Sequence, residues 1–451
     1  MRIAPIALGC PKNTADLEKA LGLLAGDEAE IIHDARMADV VLVNTCAFIR
    51  PAVEEALETI IEARRLKSRG KLKVVVMGCL PQRFGRKLAP LLPEADRLIS
   101  ERDPVRVAER LRCLLGIMAT GSHLTRWRLT PAHYAFLKIA EGCNNRCAYC
   151  TIPRIKGRYR SRPVAAVVEE AQFLAAHGVR ELVVVAQDTT HYGAEHGGPS
   201  ALPELLRRLT AIDGLCWIRL MYTHPAHLDE ALIATIAEQE RICKYVDLPV
   251  QHGSDRILAA MGRKTTRAQL ERLVQQLREC IPGVAIRSTV MVGFPGETEE
   301  DFATLLDFLA AVRFDHLGAL TYWPEEGTRA ARMPGQISDE DKNLRHAEVL
   351  DLQSRISSAR TAHLVGKVVQ VLVDEVDDAR GVSLGRTEWD APEVDCHVEI
   401  DTVLEPGSFV TVRILAADGF DLFATPAGKS RQSIHAGELM SMSVPREPSR
   451  V

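Results

Sequence analysis

Hydrophobic residues in the first quarter of this chain form short runs that alternate with helical patterns. The runs at residues 3–8, 40–44 and 74–77 are rich in β-branched side chains, and residues 51–66 show a helical period. Continuous apolar runs are typical of strands that are buried on both faces of a parallel sheet. The alternation therefore predicts a parallel α/β domain over residues 1–115.

A second and longer series follows a polar connection at residues 116–132. Six βα units predict a partial parallel barrel, a (βα)6 relative of the eight-unit fold, over residues 129–363. A long helical pattern at residues 338–363 closes the series. The six strand patterns lie at residues 135–140, 181–186, 217–222, 245–250, 285–292 and 316–322.

The pattern changes again in the C-terminal part of the chain. Short apolar runs at residues 368–373, 397–400 and 409–414 are separated by turn residues. They predict a small antiparallel β barrel or sandwich over residues 366–428. Residues 429–451 are polar and aperiodic, so we expect a disordered tail there. The expected fold class is a multidomain α/β protein with a small β domain at its end.

Composition places the chain among ordinary soluble proteins, with 451 residues, 46% hydrophobic residues and a net charge of −4. No stretch approaches the roughly 18 apolar residues of a membrane span, and the N-terminus lacks the apolar core of a signal peptide. We therefore expect a cytoplasmic protein with no membrane partner, in a compartment that keeps thiols reduced. The patterned members of its eleven cysteines are then expected to be metal ligands or catalytic groups.

Three cysteines share one loop at the end of the first predicted barrel strand. Cys143, Cys147 and Cys150 have the spacing C-x3-C-x2-C, which lets three thiolates bind an iron–sulfur cubane and leaves one iron open. Zinc is an alternative, but zinc sites usually close with a fourth Cys or His, and the loop contains no His. A ferredoxin-type cluster would need a fourth cysteine nearby, and the next one is Cys216.

A second set of cysteines is dispersed in sequence but shares one structural position. Cys10, Cys46 and Cys79 each follow a predicted parallel strand. The carboxyl ends of neighbouring parallel strands meet at one edge of a sheet, so we expect the three thiols to converge on a second cluster with an open iron. Burial in an apolar core is the alternative for any single one. It is the better interpretation for the others, Cys113, Cys216, Cys243, Cys280 and Cys396.

The loop motif, with Tyr149 before its last cysteine, resembles that of the radical S-adenosylmethionine (SAM) superfamily. The resemblance implies that the open iron binds SAM, whose reductive cleavage gives a 5′-deoxyadenosyl radical that abstracts hydrogen from a substrate. It also implies cofactor contacts at the neighbouring strand ends, where an ordinary βα turn is the alternative. The residues expected to contact SAM are Tyr149, Gln187, Asp188, Gln251, Val292 and Gly293. A polar structural role is favoured for His224 and His252.

Two three-cysteine sets in this order, followed by a small β domain, resemble the methylthiotransferases over residues 1–425. This family implies two [4Fe–4S] clusters, two SAM molecules per product, and an electron donor such as flavodoxin or ferredoxin. The motifs GCPKN at 9–13, TCAFI at 45–49, PEEGT at 324–328 and GRTEWDAPEVD at 385–395 are similar to those of the RimO branch. That branch modifies the β-carbon of an aspartate in ribosomal protein S12, and its TRAM domain corresponds to the small β domain. The other branch modifies adenosine in transfer RNA and remains an alternative.

Local charge bears on this choice. Residues 366–425 contain four basic and thirteen acidic side chains, a net charge of −9. Such a surface would repel RNA phosphates and attract a basic partner such as a ribosomal protein, unless the acids only solubilise the domain. A nucleic-acid substrate is therefore not expected. A basic run with one tyrosine at residues 154–162 indicates the opposite, because it could hold RNA phosphates, although a substrate carboxylate would suit it equally. A cluster-bearing sensor or electron carrier without turnover is the remaining alternative.

Overall fold

The computed structural model describes residues 1–26, 28–66, 72–118 and 124–428. The chain forms two compact units, Met1–Leu352 and Gln353–Val451. The tail predicted to be disordered, residues 429–451, lies outside the described residues, as does part of the predicted connection at 116–132. The domain boundaries taken from the sequence stay predictions.

The first unit begins with a five-stranded sheet of order β2-β1-β3-β4-β5, in which all pairs are parallel. The prediction of a parallel α/β domain is confirmed. Apolar side chains of the helices cover both faces of the sheet, since Leu17 and Leu21 pack with Leu42 on one face and Ile60 packs with Val41 on the other. The elements are β1 Arg2–Ala7, α1 Pro11–Leu24, β2 Glu30–Ile31, β3 Val40–Thr45, α2 Arg50–Arg65, β4 Lys73–Gly78, α3 Cys79–Phe84, β5 Arg97–Leu98 and α4 Pro104–Leu115.

A partial barrel follows in the same unit and confirms the second prediction. Two three-stranded parallel sheets, β6-β9-β10 and β11-β12-β13, continue into each other through a bridge between Ile218 and Ile242. The elements are β6 Tyr134–Lys138, β7 Ala140–Glu141, α5 Ile152–Ile155, β8 Arg160–Ser161, α6 Val164–Ala176, β9 Glu181–Val185, α7 Leu202–Thr210, β10 Trp217–Leu220, α8 Glu230–Glu238, β11 Tyr245–Asp247, α9 Asp255–Met261, α10 Arg267–Cys280, β12 Ala285–Val292, α11 Glu299–Val312, β13 His316–Thr321 and α12 Asp339–Thr361.

Local sequence explains where the best-defined barrel helices begin. Thr266 and Gln269 form a capping box at the start of α10, and Thr298 and Asp301 form one at the start of α11. In each, the threonine oxygen accepts from a backbone N–H that the helix leaves unpaired, and the longer side chain accepts in return from the backbone of the threonine. Helix α11 therefore begins shortly after the end of β12, whereas α10 follows the short helix α9.

The sheet and the barrel are joined by a buried ionic seam. The carboxylate of Glu170 in α6 binds Arg126 at 2.7 Å and Lys19 of α1 at 3.0 Å, and it also contacts Arg162. Glu18 of α1 accepts hydrogen bonds from the backbone N–H groups at 129 and 130, at 2.8 and 2.9 Å. Because both carboxylates are at most 1% exposed, these pairs stabilise one packing of the two parts.

The second unit contains a closed five-stranded barrel of order β14-β15-β16-β18-β17. Of the two predicted alternatives, barrel and sandwich, the barrel is therefore confirmed. Its strands are β14 Val368–Asp377, β15 Val382–Arg386, β16 Val398–Ile400, β17 Phe409–Asp418 and β18 Asp421–Pro426. The β16–β18 pair is parallel and the other pairs are antiparallel. Strands that alternate in direction around a closed ring must be even in number, so five strands require one parallel pair. The predicted small β barrel is confirmed, with one parallel pair among its antiparallel ones.

Within the ranges described, no helix combines the length and apolarity that crossing a bilayer demands.

Candidate functional site

The three dispersed cysteines lie at the ends of the three central strands of the N-terminal sheet. Cys10 caps α1 just after β1, Cys46 follows β3 directly, and Cys79 opens α3 after β4. These strands are neighbours in the sheet. Gly9, with φ of +104°, allows the close approach, because a Cβ there would lie 3.1 Å from the Cβ of Cys46. The structure thus brings the predicted set together at one edge of the sheet.

The electrostatics of this first set show that its thiols share one pocket. Burial and the nearby thiols of Cys10 and Cys79 raise the pKa of Cys46 to about 12. Burial and Cys10 also raise the pKa of Cys79, whereas the ammonium of Lys156 lowers it. Asn13 of α1 donates to the Cys79 Sγ at 3.5 Å. Thiols in such a pocket ionise when a metal binds them.

The second set lies on the loop after β7, and backbone hydrogen bonds hold this loop in shape. Cys143 N–H donates to the Gly157 carbonyl at 3.1 Å, and Cys150 N–H donates to the Cys147 carbonyl at 3.2 Å. Burial and the other thiols of the loop raise the pKa of Cys150 to about 12. The guanidinium of Arg263 lies 3.9 Å from the Cys147 Sγ.

The donor sets are compatible with iron–sulfur clusters. Each contains three thiols, and all six cysteines are free of disulfides. A cubane can bind three thiolates through three different irons. The donor chemistry, the burial and the neighbouring cations Lys156 and Arg263 fit such a group.

The residues expected to contact SAM lie at the barrel strand ends beside this loop. Tyr149 is half-buried on the loop itself, next to an apolar cluster, and Val292 ends β12 and is followed by Gly293. Gln251 has a left-handed backbone with φ of +76° and is 8% exposed. Strained backbone of this kind is concentrated at functional sites.

Gln187 and Asp188 differ in the hydrogen-bond acceptors that they leave available to a ligand. Gln187 donates to Glu141 at 3.2 Å, while its own buried Oε1 has no hydrogen-bond partner in the structure. The carboxylate of Asp188 already accepts from Asn145, Thr190 and His227. Burial opposes ionisation of Asp188, but the bond from His227 and the charges of the two nearby histidines lower its pKa to about 2. Asp188 thus ties the cysteine loop to the strand ends.

The two histidines noted in the sequence have structural partners. His224 stacks on His227 at 4.6 Å, and burial together with the charge of Arg263 lowers the pKa of His224 to about 3. His252 accepts a hydrogen bond from the Ser254 N–H at 2.9 Å.

Sequence reasoning missed a buried ionic network between the two cysteine sets. Lys138 binds Glu141 at 2.6 Å and also pairs with Asp16 of α1. Lys156 lies 4.0 Å from the other oxygen of Glu141. Asp16 belongs to the helix that Cys10 caps, and Glu141 lies two residues before Cys143. No local pattern reveals these pairs, because Asp16 and Lys138 are 122 positions apart.

A second missed contact involves the predicted PEEGT motif. Glu325 accepts from the backbone N–H of Arg50 and binds Arg83 of α3, both at 2.6 Å. Thr151, which follows Cys150, donates to the carbonyl of Phe48, two residues after Cys46, at 3.1 Å. The loops that bear the two cysteine sets are therefore in direct contact.

Family descriptions match three successive parts of the chain. The uncharacterized protein family UPF0004 matches residues 2–100, the radical SAM superfamily matches 137–309, and the TRAM domain matches 365–426. Each match covers one of the three regions that the sequence patterns distinguish.

Curated relatives are similar over almost the whole chain. The ribosomal protein uS12 methylthiotransferase RimO of Geobacter sulfurreducens is 43% identical over 435 residues, which are 93% of this chain and 97% of that protein. RimO of Moorella thermoacetica is 46% identical over 425 residues, 92% of this chain and 96% of that one. Among solved structures, the radical SAM methyltransferase TsrM from Kitasatospora setae superposes with a TM-score of 0.54 at 19% identity, covering 71% of this chain and 72% of TsrM. This likeness shows the fold.

Proposed function

Because the chain belongs to the RimO family of radical SAM methylthiotransferases, we propose that it inserts a methylthio group at the β-carbon of an aspartate in ribosomal protein uS12. The observation that supports this most is the presence of two sets of three buried or half-buried thiols in one compact unit. We assign an auxiliary [4Fe–4S] cluster to Cys10, Cys46 and Cys79 and the radical SAM cluster to Cys143, Cys147 and Cys150.

The bound clusters would supply the electron that cleaves SAM and the sulfur that is transferred. The chain's own residues orient the reactants and exclude water. The unpartnered Oε1 of Gln187 is a ready acceptor for a polar group of SAM, and Gln251 and Gly293 offer backbone at the strand ends. Tyr149, Asp188 and Val292 complete the proposed contacts. The electron would come from an external donor of flavodoxin or ferredoxin type, in the cytoplasm.

The acidic β barrel is the proposed recruiting surface for the basic substrate. Arg386 and Asp374 pair internally at 2.6 Å, and Asp390 is buried, so these charges do not face solvent. The exposed acids remain in excess over the exposed bases Lys367, Arg380 and Arg413. They are Glu375, Asp378, Glu393, Asp401, Glu405 and Asp418. Such a surface acts chiefly by steering association, so the association rate with uS12 should fall as salt increases.

The structure buries part of the basic run at residues 154–162. Tyr159 is only 4% exposed and its hydroxyl donates to the Asp188 carbonyl at 2.8 Å, so it cannot stack on a base. Lys156 is 4% exposed beside Glu141, and Arg162 binds Glu170. The transfer-RNA alternative therefore loses the stacking aromatic, while Arg154, Arg158 and Arg160 stay exposed.

Two substitutions test the cluster assignment. In reduced, reconstituted enzyme, Cys147→Ala is expected to abolish release of 5′-deoxyadenosine from SAM. Cys46→Ala is expected to retain that release but to stop methylthio transfer. The exposed Cys113 provides the control, since Cys113→Ala should alter neither. Cleavage that survives Cys147→Ala would contradict the assignment, and a wild-type enzyme that releases no 5′-deoxyadenosine would be a sensor or carrier instead.

Mass spectrometry identifies the substrate. Ribosomal protein uS12 and transfer RNA from a deletion strain, with and without the restored gene, would be compared. We expect a mass gain on the uS12 aspartate that depends on the gene. A gene-dependent change in modified nucleosides with unmodified uS12 would favour the transfer-RNA alternative.

A further inference from the structure

Lys12 is a buried cation that forms no pair with a carboxylate of the described residues. The residue is 8% exposed, and its Nζ lies 3.1 Å from the centroid of the Tyr222 ring. The other buried lysines each lie near a carboxylate: Lys138 pairs with Glu141, Lys156 lies 4.0 Å from Glu141, and Lys342 pairs with Asp339. Within the described ranges, Lys12 forms no such pair. Buried charges are normally paired, so this ammonium can accept an anion from outside the chain.

Nearby carboxylates do not fill this role. Asp247 is near enough for its charge to act on Lys12. Its oxygens, however, accept from the Tyr222 N–H at 2.8 Å and face Arg287 at 3.5 Å. The first turn of α1 contains no acidic residue, and the capping residue Cys10 makes no side-chain cap. The first turn of α1 therefore supplies no carboxylate for Lys12.

Lys12 is connected, directly or through neighbouring residues, to both cysteine sets of the proposed chemistry. It is two residues from Cys10, on the helix that starts at the first cysteine set. Tyr222 follows β10 at the carboxyl end of the barrel, has a left-handed backbone with φ of +58°, and accepts a hydrogen bond from Thr189 at 3.0 Å. Thr189 adjoins Asp188, which binds the second cysteine loop through Asn145. A substrate that must meet both cysteine sets would pass this ammonium.

We propose that Lys12 binds the carboxylate of the substrate aspartate and thereby selects an anionic side chain for modification. The proposal rests on the function proposed above. A carboxylate that enters a site closed to water loses hydration, and a hydrogen-bonded ammonium compensates for that loss. A neutral group at the same place would leave Lys12 buried and unpaired. The site would thus discriminate against uncharged substrates by the cost of an unsatisfied cation.

A thermodynamic cycle between enzyme and substrate tests the contact. The reconstituted full-length holoenzyme is titrated with a uS12 peptide that contains either the target aspartate or asparagine. The measured quantity is the ratio of the two dissociation constants for each enzyme. The wild type should prefer the aspartate peptide by roughly ten- to a hundredfold, and Lys12→Gln should reduce that ratio to near one. Lys12→Arg keeps the cation and should keep most of the preference.

Each ratio compares two peptides on the same enzyme. A lower folded fraction or iron content in a variant therefore acts on both dissociation constants, and the ratio can still be interpreted. Lys73→Gln, an exposed lysine at the start of β4, is the matched control and should leave the ratio unchanged. An equal preference in wild type and Lys12→Gln, or none in the wild type, would overturn the inference and indicate that Lys12 serves the neighbouring cysteine set. Failure of the wild type to add mass to the aspartate peptide would instead refute the proposed function.

Discussion

Replacing Glu170 by Gln should loosen the seam between the N-terminal sheet and the barrel. The carboxylate is 1% exposed and lies among three cations. Arg126 is 2.7 Å from one oxygen, and Lys19 and Arg162 bind the other. Burial opposes ionisation of the carboxyl, but Arg126, Arg162 and Lys19 outweigh it and lower the pKa of Glu170 from 4.5 to about 2. Glutamine keeps the shape of the side chain and removes the charge that the cations require.

The pKa shift sets the size and the pH window of the effect. At 1.36 kcal/mol per unit it corresponds to about 3 kcal/mol of stabilisation, in the range expected for breaking a buried ion pair. Since the pKa is depressed in the folded state, the stabilisation is complete above the unfolded value near 4.5. It is lost as the pH falls from about 4.5 to about 2. Glu170→Gln should therefore cost about 3 kcal/mol at pH 7, and the difference from the wild type should narrow only below about pH 4.5.

Urea denaturation of wild type and variant at several pH values between 8 and 3 measures this difference. Glu169→Gln is the matched control, because the neighbouring side chain is exposed and its replacement should change the free energy of unfolding by less than about 0.5 kcal/mol. A cost below about 1 kcal/mol for Glu170→Gln at pH 7 would refute the argument. So would a difference that stays constant from pH 7 down to pH 3, because the depressed pKa would then not be its source.

Three further substitutions address the contacts around the cysteine loops. Glu325→Gln leaves Arg83, whose side chain is 9% exposed, without a carboxylate, so we expect a loss of about 3 kcal/mol and a lower melting temperature. Gly142→Ala should remove about half of the bound iron, because the new Cβ would lie 2.3 Å from the Arg158 carbonyl oxygen. Gly178→Ala, with a similar positive φ but open space, should retain the iron. Asp188→Asn weakens the bonds to Asn145 and His227. It should therefore speed iron loss to a chelator several-fold, and an unchanged rate would show that Asp188 does not support the loop.

The sequence predicted the buried strands and the two cysteine sets because both are local patterns. The strands β1, β3 and β4 are continuous apolar runs, and a cysteine after each is visible by inspection. The edge strands β2 and β5 have two residues each, too few to show a period. The parallel β16–β18 pair was missed as well, since it follows from closing an odd number of strands rather than from any residue.

Side-chain partners could not be predicted in the same way. In the sequence, Tyr159 stands in a basic run as if it were exposed, whereas the fold buries it and directs its hydroxyl to Asp188. In the sequence, Lys12 is only one residue of the GCPKN motif. The fold shows that it is buried against Tyr222, 210 positions away. The sequence of the last domain contains thirteen acidic residues, but Asp374 pairs with Arg386 and Asp390 accepts a hydrogen bond from Thr387 within the domain. Burial and pairing depend on tertiary packing, which a linear pattern does not contain.

The ionic contacts around the two cysteine sets are informative because they are a costly way to join two parts of a protein. Apolar groups of similar volume would often give equal or greater stability than buried ion pairs. Ion pairs are directional, however, and the contacts from Asp16 to Lys138 and from Glu325 to Arg83 each fix one geometry. A reaction that makes a radical at one site and delivers sulfur from another depends on the separation of the two, because misplacement by about an ångström can cost a hundredfold in rate. The charges therefore lie where geometry matters most to the proposed chemistry, and Lys12, which forms no pair with a carboxylate of the described residues, lies on the helix that starts at the first cysteine set.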